Sequence, residues 1–480
     1  MLIREFSGRG GGSLTLNRRA LFTGNRRTFL KSAAVGAAIT ATAQAMPRSP
    51  NIIVILCDDL GYGDLSCYGS NISTPNLDRM AQEGIRFTHA YTAGAVCTPA
   101  RAALLTGRYP NRYGMPRVID PEEDYGMPDS ETTMAEMLKG SGYSTMCVGK
   151  WHLGAKSRFL PTNHGFDSYF GIPYSIDMSP RVMMENTTII EQKAELTTLT
   201  QRYTQRAVDF ISRSKSSPFF LYLAHSFPHL PCAASPDFIG KSGEGLYGDA
   251  VLEIDWSTGQ ILQALKDNGL DSNTLVVFTS DHGPWYQGST GGLRSRKGEI
   301  FDGGMRVPLL ARMPAYIPAN QVSSSIVTLM DWMPTAANLA GARLPANPLD
   351  GIDIWPLLSG QQIDVQRDAF LYFNNDHLQA IRVGQWKLHV ARYNTFMFSP
   401  SPPEGRINLP LWSPELYNIV ADKDESRDRA DRHPAVVAQL QAQMEQLLLT
   451  FPPVIQQNWA DTKKRKIFYT PSGALPMPQL

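Results

Sequence analysis

A continuous apolar run that ends in acidic residues is the feature that most constrains the fold of this chain. Residues 52–56 read Ile-Ile-Val-Ile-Leu, without any polar alternation, and Asp58 and Asp59 follow the run. Such a run is typical of a strand covered on both faces, as in a parallel sheet flanked by helices. The two acids should therefore mark the end of a buried strand.

The same pattern recurs late in the chain. Residues 275–278 form a second apolar run, and Asp281 and His282 follow it. In open α/β sheets, ligands bind at the carboxyl ends of the strands. Two strands that deliver acids to that edge predict one shared site.

Two more strand-like segments end in basic side chains. The apolar run 219–223 precedes His225 and His229, and another segment precedes Lys150 and His152. Helical patterns lie between the strands, one starting near residue 74 and one running from about residue 253 to 269. Alternating strands and helices predict an α/β fold built on a large, mixed, mostly parallel sheet flanked by helices.

The sequence changes in character after about residue 365. Short strand-like pieces ("DAFLYF", "AIRVGQWKLHV", "PELYNI") are followed by one helical pattern, "HPAVVAQLQAQMEQLLL", and "SPSPPEGRINLP" is typical of a surface loop. We expect a larger domain over residues 46–364. A smaller subdomain over residues 365–480 should hold an antiparallel sheet, a helix and a tail.

The first 45 residues have the features of an export signal. Arg26 and Arg27 precede a short, Ala-rich apolar run, and Ala43-Gln44-Ala45 matches an A-x-A cleavage pattern. The apolar run is too short to span a bilayer, so no stable membrane anchor is expected. The pattern predicts a twin-arginine signal peptide, the twin-arginine translocase as a partner, and a periplasmic location.

Charge and cysteine content exclude several classes of protein. Lys plus Arg number 45 against 44 Asp plus Glu, so a basic nucleic-acid-binding face is not indicated. The five cysteines are scattered and form no C-x-x-C pair, which argues against a disulfide scaffold or a structural zinc site. Cys97 is the cysteine in a special setting, beside Pro99 and Arg101.

Several blocks together carry a family resemblance. Cys97-Thr98-Pro99-Ala100-Arg101 resembles the signature of the type I sulfatases, in which the cysteine is oxidised after translation to Cα-formylglycine. The blocks "DDLGYGDLSCYG", "TPNLDRMAQEGIRF", "GYSTMCVGKWHLG", "TSDHG" and "RKGEIFDGGMRVP" are similar to family blocks in the family's order. The resemblance covers nearly the whole chain after residue 45. It implies the arylsulfatase A-like branch of the alkaline-phosphatase-like superfamily.

The residues around Cys97 suit the implied reaction, the hydrolysis of an aryl or carbohydrate sulfate ester. Cleaving a sulfate ester requires a strong nucleophile, positive groups and an acid. By resemblance, hydrated formylglycine 97 attacks sulfur, and a formylglycine-generating enzyme is a partner in maturation. Pro99 suits the first turn of a helix, which would place residue 97 near the helix N-terminus. Arg101, one turn on, would hold the modified side chain.

The resemblance also implies a divalent metal site. Its ligands would be Asp58, Asp59, Asp281 and His282, together with an oxygen of residue 97. Clustered carboxylates are costly to bury unless a cation neutralises them, and Ca²⁺ prefers oxygen ligands. Many relatives carry Asn where this chain has His282, and an imidazole nitrogen suits softer ions better than Ca²⁺. Some family members share this His, so Ca²⁺ is the expected ion.

The remaining site residues follow from the same blocks. Lys150, Lys297 and Ser175 are expected to contact the sulfate, His152 to position the nucleophile, and His229 to donate a proton to the leaving group. Lys150 and His152 lie two apart, so in an extended segment their side chains would point the same way. His225 is the weaker candidate and suits a core position. Five further residues are weaker candidates for a substrate pocket, and an ordinary loop position is the simpler interpretation for each: Asp177, Trp285, Tyr286, Asn374 and His377.

Two other functions fit parts of this pattern. A phosphomonoester or phosphonate-ester hydrolase on the same fold would use a similar arrangement of metal and cations. A non-catalytic binding protein would keep Cys97 as a thiol. The natural substrate and the oligomeric state do not follow from the sequence, because substrate pockets are shaped by loops.

Overall fold

The computed structural model describes residues 49–403 and 405–465. The predicted signal segment, residues 1–45, lies outside the described residues, and the described residues belong to one compact unit. Among the described residues, none of the helices combines the length and apolar character needed to cross a bilayer.

A large sheet carries the predicted strands. Its members in chain order are β1 (Asn51–Asp58), β2 (Ile85–Tyr91), β3 (Ser144–Gly149), β4 (Ser168–Gly171), β5 (Met183–Glu185), β6 (Thr188–Glu191), β7 (Phe219–Pro228), β8 (Thr274–Ser280), β9 (Arg306–Arg312), β10 (Gln321–Ser323) and β11 (Val327–Thr328). The spatial order is β10-β2-β9-β8-β1-β7-β3-β4-β5-β6, with β11 beside β2. The strands from β8 to β4 run parallel, and β9 pairs antiparallel with both β8 and β2. The expectation of a mixed, mostly parallel sheet is confirmed.

Strand β1 lies at the centre of this sheet. It is buried along its whole length, between β7 and β8. Helices cover the sheet, as the unbroken apolar run predicted: α1 (Pro75–Gln82), α2 (Cys97–Thr106), α3 (Met134–Lys139), α4 (Leu199–Arg213), α5 (Gly245–Asp267), α6 (Asp302–Met305), α7 (Trp332–Ala340) and α8 (Trp355–Leu358). The helix predicted from about residue 253 begins earlier, at Gly245.

A second, antiparallel sheet follows. It consists of β12 (Phe370–Asn374), β13 (His377–Val383), β14 (Trp386–Tyr393) and β15 (Asn408–Asn418), in sequential order. Helix α9 (Pro434–Leu448) matches the predicted helix. A further helix, α10 (Pro453–Lys464), occupies part of the predicted tail. Pro453 is the first residue of α10, a position that proline tolerates. Pro452 and Pro453 therefore mark the start of this helix.

A buried charged cluster joins the two sheets. Lys387 Nζ lies 3.0 Å from Asp302 and 3.1 Å from Glu425, and His389 Nε2 lies 2.7 Å from the Glu425 carboxylate. Lys387 and His389 belong to β14, whereas Asp302 begins α6, which leads into β9 of the large sheet. The Asp302 amide also donates to Glu425, at 2.7 Å. We call these four residues the inter-sheet cluster.

Candidate active site

The ends of β1 and β8 meet at one edge of the large sheet. The two strands are parallel, with Cys57 aligned to Ser280, so the residues after each strand lie side by side. The Asp59 amide donates to Asp281 Oδ1 at 3.2 Å. The shared site predicted from the two apolar runs therefore forms at this edge.

Asp59 leaves the strand in a left-handed backbone conformation, with φ at 65°. Successive side chains of a regular strand point to opposite faces of the sheet. The turn at Asp59 breaks that alternation, so the carboxylates of Asp58 and Asp59 both reach the same cluster. Non-glycine residues rarely adopt this conformation, and where they do the site is often functional.

Cys97 is the first residue of α2 and points into this edge of the sheet. Its Sγ lies 3.5 Å from Asp58 Oδ1, 3.4 Å from His282 Nε2 and 3.4 Å from Lys150 Nζ. The residue is only 2% exposed. Burial raises the pKa of its thiol to about 12, so an unmodified Cys97 is protonated at neutral pH.

Arg101 connects the helix to both strands. Its guanidinium is fully buried and pairs with Asp281 at 2.9 Å and with Asp58 at 3.2 Å. It also donates to the carbonyl of Lys150 at 3.0 Å. Because every one of these contacts lies next to Cys97, Arg101 fixes the position of the helix start against the acids.

Two lysines pair with the two acids that follow β1. Lys150 Nζ lies 2.6 Å from Asp58, and Lys297 Nζ lies 2.8 Å from Asp59. Burial alone would raise the pKa of Asp58, but Lys150 and the other nearby cations hold that pKa well below its ordinary value. Lys150 also donates to Ser175 Oγ at 3.0 Å.

Lys297 is the cation of its segment that reaches the site. Arg296 donates to the carbonyl of Trp285 at 3.0 Å, and Arg294 donates to the carbonyl of Glu425 at 2.6 Å. The two arginines near Lys297 thus bind backbone carbonyls, and Lys297 is the residue of the three that pairs with Asp59.

The histidines divide into two groups. His229 Nε2 lies 3.8 Å from Asp59, at the rim of the cluster. His225 is buried behind it on β7, with Nε2 at 3.4 Å from Ser257 of α5. His225 is therefore a core residue, the interpretation the sequence favoured.

His152 does not follow the alternation expected of an extended segment. Its φ is 59°, and Nε2 lies 3.1 Å from the carbonyl of Ile119. Thr98 of α2 donates to the His152 carbonyl at 2.9 Å, which holds this turn beside Cys97. Within the described residues, His152 Nδ1 is buried without a hydrogen-bond partner. The expectation of a shared direction for Lys150 and His152 applied to an extended segment, and the chain is not extended at His152.

Four donor atoms converge as a metal site requires. One ligand atom each from Asp58, Asp59, Cys97 and His282 lie within 4.8 Å of one another. His282 Nδ1 lies 2.9 Å from the carbonyl of Gly283, and burial lowers the pKa of the ring. A neutral ring that donates from Nδ1 leaves the Nε2 lone pair facing the cluster, so the residues fit a divalent cation.

Asp281 stands slightly apart from those four. Its Oδ2 accepts from Arg101, and its Oδ1 accepts from the backbone amides of Asp59 and His282, at 3.2 Å and 3.0 Å. The Asp281 carboxylate therefore holds the Arg101 guanidinium and the backbone amides of Asp59 and His282 in position. We call the charged residues of this edge, together with Cys97 at their centre, the catalytic cluster: Asp58, Asp59, Cys97, Arg101, Lys150, Asp281, His282 and Lys297.

Comparison with known proteins identifies the family. The family model "Sulfatase" matches residues 50–342, and the model "C-terminal region of aryl-sulfatase" matches residues 365–473. The chain belongs to the sulfatase family.

Curated relatives agree with this assignment. N-acetylgalactosamine-6-sulfatase of Mus musculus is 41% identical, over 74% of this chain and 74% of its own length. Arylsulfatase A of Homo sapiens is 40% identical, over 73% of this chain and 76% of its own. The protein is thus a sulfuric ester hydrolase of the arylsulfatase A-like branch.

A solved structure shares the architecture. A sulfatase from Pseudoalteromonas sp. superimposes with a TM-score of 0.77 at 27% identity, covering 86% of this chain and 91% of that one. Both the large sheet and the smaller C-terminal sheet therefore belong to the fold of this sulfatase.

One wall of a cavity beside the catalytic cluster consists of residues that were not singled out from the sequence, whereas Trp285 and Tyr286, which also line it, were named as weaker pocket candidates. A cavity of about 250 Å³ opens beside Lys297, and residues 396–399, from the loop between β14 and β15, form one of its walls. The sequence signal was "FMF", a cluster of large apolar residues immediately before the predicted surface loop. Such a cluster in a loop is unusual unless it packs or binds something.

Proposed function

We propose that this sulfatase cleaves a carbohydrate or aryl sulfate ester to an alcohol and inorganic sulfate, using formylglycine made from Cys97. The observation that carries the proposal is the setting of Cys97, whose Sγ lies within 3.5 Å of Asp58, Lys150 and His282. Its thiol, with a pKa of about 12, is a poor nucleophile at neutral pH. The hydrate of an aldehyde at this position supplies a hydroxyl that attacks sulfur and a second hydroxyl whose deprotonation releases sulfate.

The lysines bind the sulfate group. Lys150 and Lys297 carry buried positive charges next to Cys97, paired with Asp58 and Asp59. A sulfate ester between the two ammonium groups accepts hydrogen bonds from both. Because these charges are already positioned, they stabilise the added negative charge of the transition state without reorganising.

Proton transfer and positioning fall to other side chains. His229, at the rim, donates a proton to the leaving oxygen, since histidine can exchange protons near neutral pH. Arg101 is held by Asp58 and Asp281 and keeps the nucleophile in place. His152 Nδ1, which lacks a partner within the described residues, is available to hydrogen-bond the hydrated side chain.

One Ca²⁺ completes the proposed site, held by Asp58, Asp59, His282 and an oxygen of the modified residue 97, with Asp281 beside them. When bound, the ion polarises the sulfate group and adds positive charge. The carboxylates supply the oxygen donors that Ca²⁺ prefers, and His282 adds one nitrogen donor, so the metal test compares Ca²⁺ with softer ions.

Chelation tests the ion. Exhaustive chelation should abolish turnover, and Ca²⁺ should restore it better than Mn²⁺ or Zn²⁺ added at the same free concentration. Full activity after exhaustive chelation would show that the metal assignment is wrong.

Mass spectrometry and rate measurements test the nucleophile. The peptide covering residues 90–110 of the active enzyme should carry an aldehyde and no sulfur at position 97. Hydrolysis of an aryl sulfate should be faster than hydrolysis of the matching aryl phosphate. A strong preference for phosphate would favour a phosphomonoester or phosphonate-ester hydrolase, and an unmodified thiol without turnover would favour a binding protein.

We also propose that residues 1–45 direct export by the twin-arginine translocase to the periplasm, and that a formylglycine-generating enzyme matures Cys97. The support is the order of Arg26-Arg27, the apolar run and Ala43-Gln44-Ala45. Replacing both Arg26 and Arg27 with Lys should leave the protein in the cytoplasm, as measured by cell fractionation. Export that is unchanged in this variant would contradict the route.

A further inference from the structure

The left-handed turn at Asp59 is held by hydrogen bonds on both sides of its Cα. The Asp59 amide donates to Asp281 Oδ1 at 3.2 Å, and the Asp59 carbonyl lies 3.2 Å from the hydroxyl of Tyr247. The amide of Leu60 donates to Ser280 Oγ at 3.0 Å, so the peptide group between Asp59 and Leu60 is held at both ends. A residue other than glycine keeps this conformation only where the surrounding structure fixes it.

Tyr247 reaches this turn from α5, which lies far along the chain. It is the third residue of that helix, 188 positions after Asp59, and it is buried. Its hydroxyl also lies 2.5 Å from Asp64 Oδ2. A phenol has a single proton to donate. The short bond to Asp64 therefore anchors the hydroxyl oxygen, and the Asp59 carbonyl receives the weaker share of the same proton.

The buried carboxylate of Asp64 collects donors from three segments. Its Oδ2 accepts from the amide of Gly61 at 2.7 Å as well as from Tyr247, and its Oδ1 accepts from the amide of Ser289 at 2.8 Å. The amide of Gly63 donates to the Ser289 carbonyl at 2.9 Å. Because a buried carboxylate is costly without such donors, Asp64 joins the turn after β1 to α5 and to the segment after β8.

The backbone packs closely around this pair of side chains. A Cβ at Gly288 would lie 2.3 Å from the Tyr247 hydroxyl and 2.8 Å from Asp64 Oδ2. A Cβ at Gly61 would lie 2.1 Å from the Ser289 carbonyl oxygen and 2.6 Å from Asp64 Oδ2. Only glycine permits these approaches, so the hydroxyl and the carboxylate have little room to shift.

The turn decides where the Asp59 carboxylate points. Its Oδ1 lies 2.8 Å from Lys297 Nζ and 3.5 Å from His282 Nε2, and it contributes one of the four converging donor atoms. In an extended backbone, Asp58 and Asp59 would point to opposite faces of the sheet. Tyr247 contacts the backbone of Asp59, so any effect it has on a bound ion passes through Asp59.

We infer that Tyr247 and Asp64 are positioning residues, which hold Asp59 in the turn that aims its carboxylate at the proposed metal ion. The inference rests on the metal site of the proposed function. It gives a role to the third acid of "DDLGYGD", the block whose first two acids are the proposed ligands. Side chains that orient metal ligands in this way commonly change metal affinity by about 10–100-fold when they are replaced.

Calorimetric titration of Ca²⁺ into the mature enzyme, freed of metal by chelation, tests the inference. Y247F removes only the hydroxyl and should raise the dissociation constant of Ca²⁺ about tenfold. D64N should raise it at least as much, because the amide nitrogen cannot accept from a donor that now faces an oxygen. The Ca²⁺ concentration for half-maximal turnover should rise by the same factor, with kcat at saturating Ca²⁺ close to that of the wild type.

A matched control removes the same atom at the other end of the same strand. Tyr143 is also buried, and its hydroxyl donates to the carbonyl of Pro50, just before β1, at 2.8 Å. Y143F should therefore lose a comparable hydrogen bond and leave the dissociation constant of Ca²⁺ unchanged. Melting temperatures of Y143F and Y247F show how much stability each variant loses.

Each contrary result has a distinct meaning. An unchanged Ca²⁺ dissociation constant in Y247F overturns the inference and leaves the proposed function intact. An equal rise in Y143F overturns it too, because any buried hydroxyl would then have the same effect. Y247F keeps the carboxylate in place, so it decides the inference even where D64N does not fold.

The wild type separates the two levels of the proposal. A wild type that hydrolyses sulfate esters without binding Ca²⁺ or another divalent ion overturns the metal assignment and this inference together. A wild type that binds Ca²⁺ but hydrolyses no sulfate ester overturns the proposed function, whereas the titrations of Y247F and Y143F still decide the inference.

Discussion

The catalytic cluster and the inter-sheet cluster contain the same kinds of residue but are arranged for different roles. Both bury acids against lysines at 2.6 to 3.1 Å. In the inter-sheet cluster, Lys387 contacts both acids at once, and the rings of Phe301 and Tyr372 cover His389 and Lys387. Its charges are satisfied by one another and enclosed by apolar groups.

The catalytic cluster is arranged differently. Its lysines each pair with a different acid, and the donor atoms of Asp58, Asp59 and His282 face a common point together with Cys97. Charges in that arrangement can exchange their present partners for an ion and a substrate. Burial and pairing alone therefore do not distinguish a functional cluster from a structural one. The direction in which the donor atoms face distinguishes them.

The largest expected effect comes from removing the centre of the catalytic cluster. C97A should lower turnover by about 10⁴-fold or more, because a nucleophile acts together with its neighbours as one unit. The melting temperature should barely change, since only a small side chain is lost. C67A, a half-buried cysteine outside the cluster, is the matched control and should keep full activity. Substantial turnover by C97A would contradict the division between the clusters.

Replacing one lysine with methionine in each cluster should affect stability in one variant and turnover in the other. K387M leaves Asp302 and Glu425 buried without their shared cation, and it should lower the free energy of unfolding by about 3–5 kcal/mol. Its turnover per folded molecule, measured at low temperature, should match the wild type. K150M should show the reverse pattern: turnover is lost, whereas the loss of stability measured by urea unfolding is smaller because Arg101 still pairs with Asp58 at 3.2 Å. Equal loss of stability in the two variants would remove the contrast.

Acidification should weaken the inter-sheet cluster through His389. Burial lowers the pKa of this ring below its ordinary value near 6.5. The unfolded chain therefore binds a proton that the folded protein excludes, so stability is unaffected above about pH 6.5 and falls as the pH drops below it. Asp302 does not titrate in this window, because Lys387 and the nearby arginines outweigh the effect of burial and hold its pKa well below the ordinary value.

The H389Q variant measures that contribution. Between pH 7.5 and 5.5 it should lose about 1 kcal/mol less stability than the wild type, at about 1.4 kcal/mol per pH unit below the unfolded pKa. Urea unfolding at the two pH values gives the comparison. Identical losses in both proteins would mean that His389 takes up its proton as readily folded as unfolded.

The smallest expected effect comes from an exposed ion pair. Lys463 and Glu445 lie 2.9 Å apart with about half of each side chain exposed. K463A should change the free energy of unfolding by no more than about 0.5 kcal/mol, because water and salt screen such pairs. A loss close to that of K387M would show that burial is not what distinguishes the inter-sheet cluster.

The sequence predicted those parts that depend on local pattern. The apolar runs before Asp58 and Asp281 located β1 and β8, because strands buried on both faces need unbroken apolar residues. The matching blocks then supplied Lys150, His229 and Lys297, and the structure brings all three to the acids.

The features of the fold and the site that could not be predicted depend on backbone geometry or on contacts between residues distant in sequence. Asp and His adopt the left-handed conformation more often than most residues, but only a small fraction of them do, so the turns at Asp59 and His152 could not be located from the sequence. The pairing of Lys387 with Asp302 joins residues 85 positions apart. The wall formed by Phe398 likewise depends on how a loop of the second sheet folds back onto Trp285.

The central place of β1 has a consequence for the order in which the protein can be assembled. Asn51 bonds to Phe219 and to Thr274, partners 168 and 223 residues further along the chain. Ribosomal synthesis therefore delivers Cys97 long before the strands that will enclose it. During that interval the Cys97 side chain is not yet enclosed, and docking of β7 and β8 then buries it.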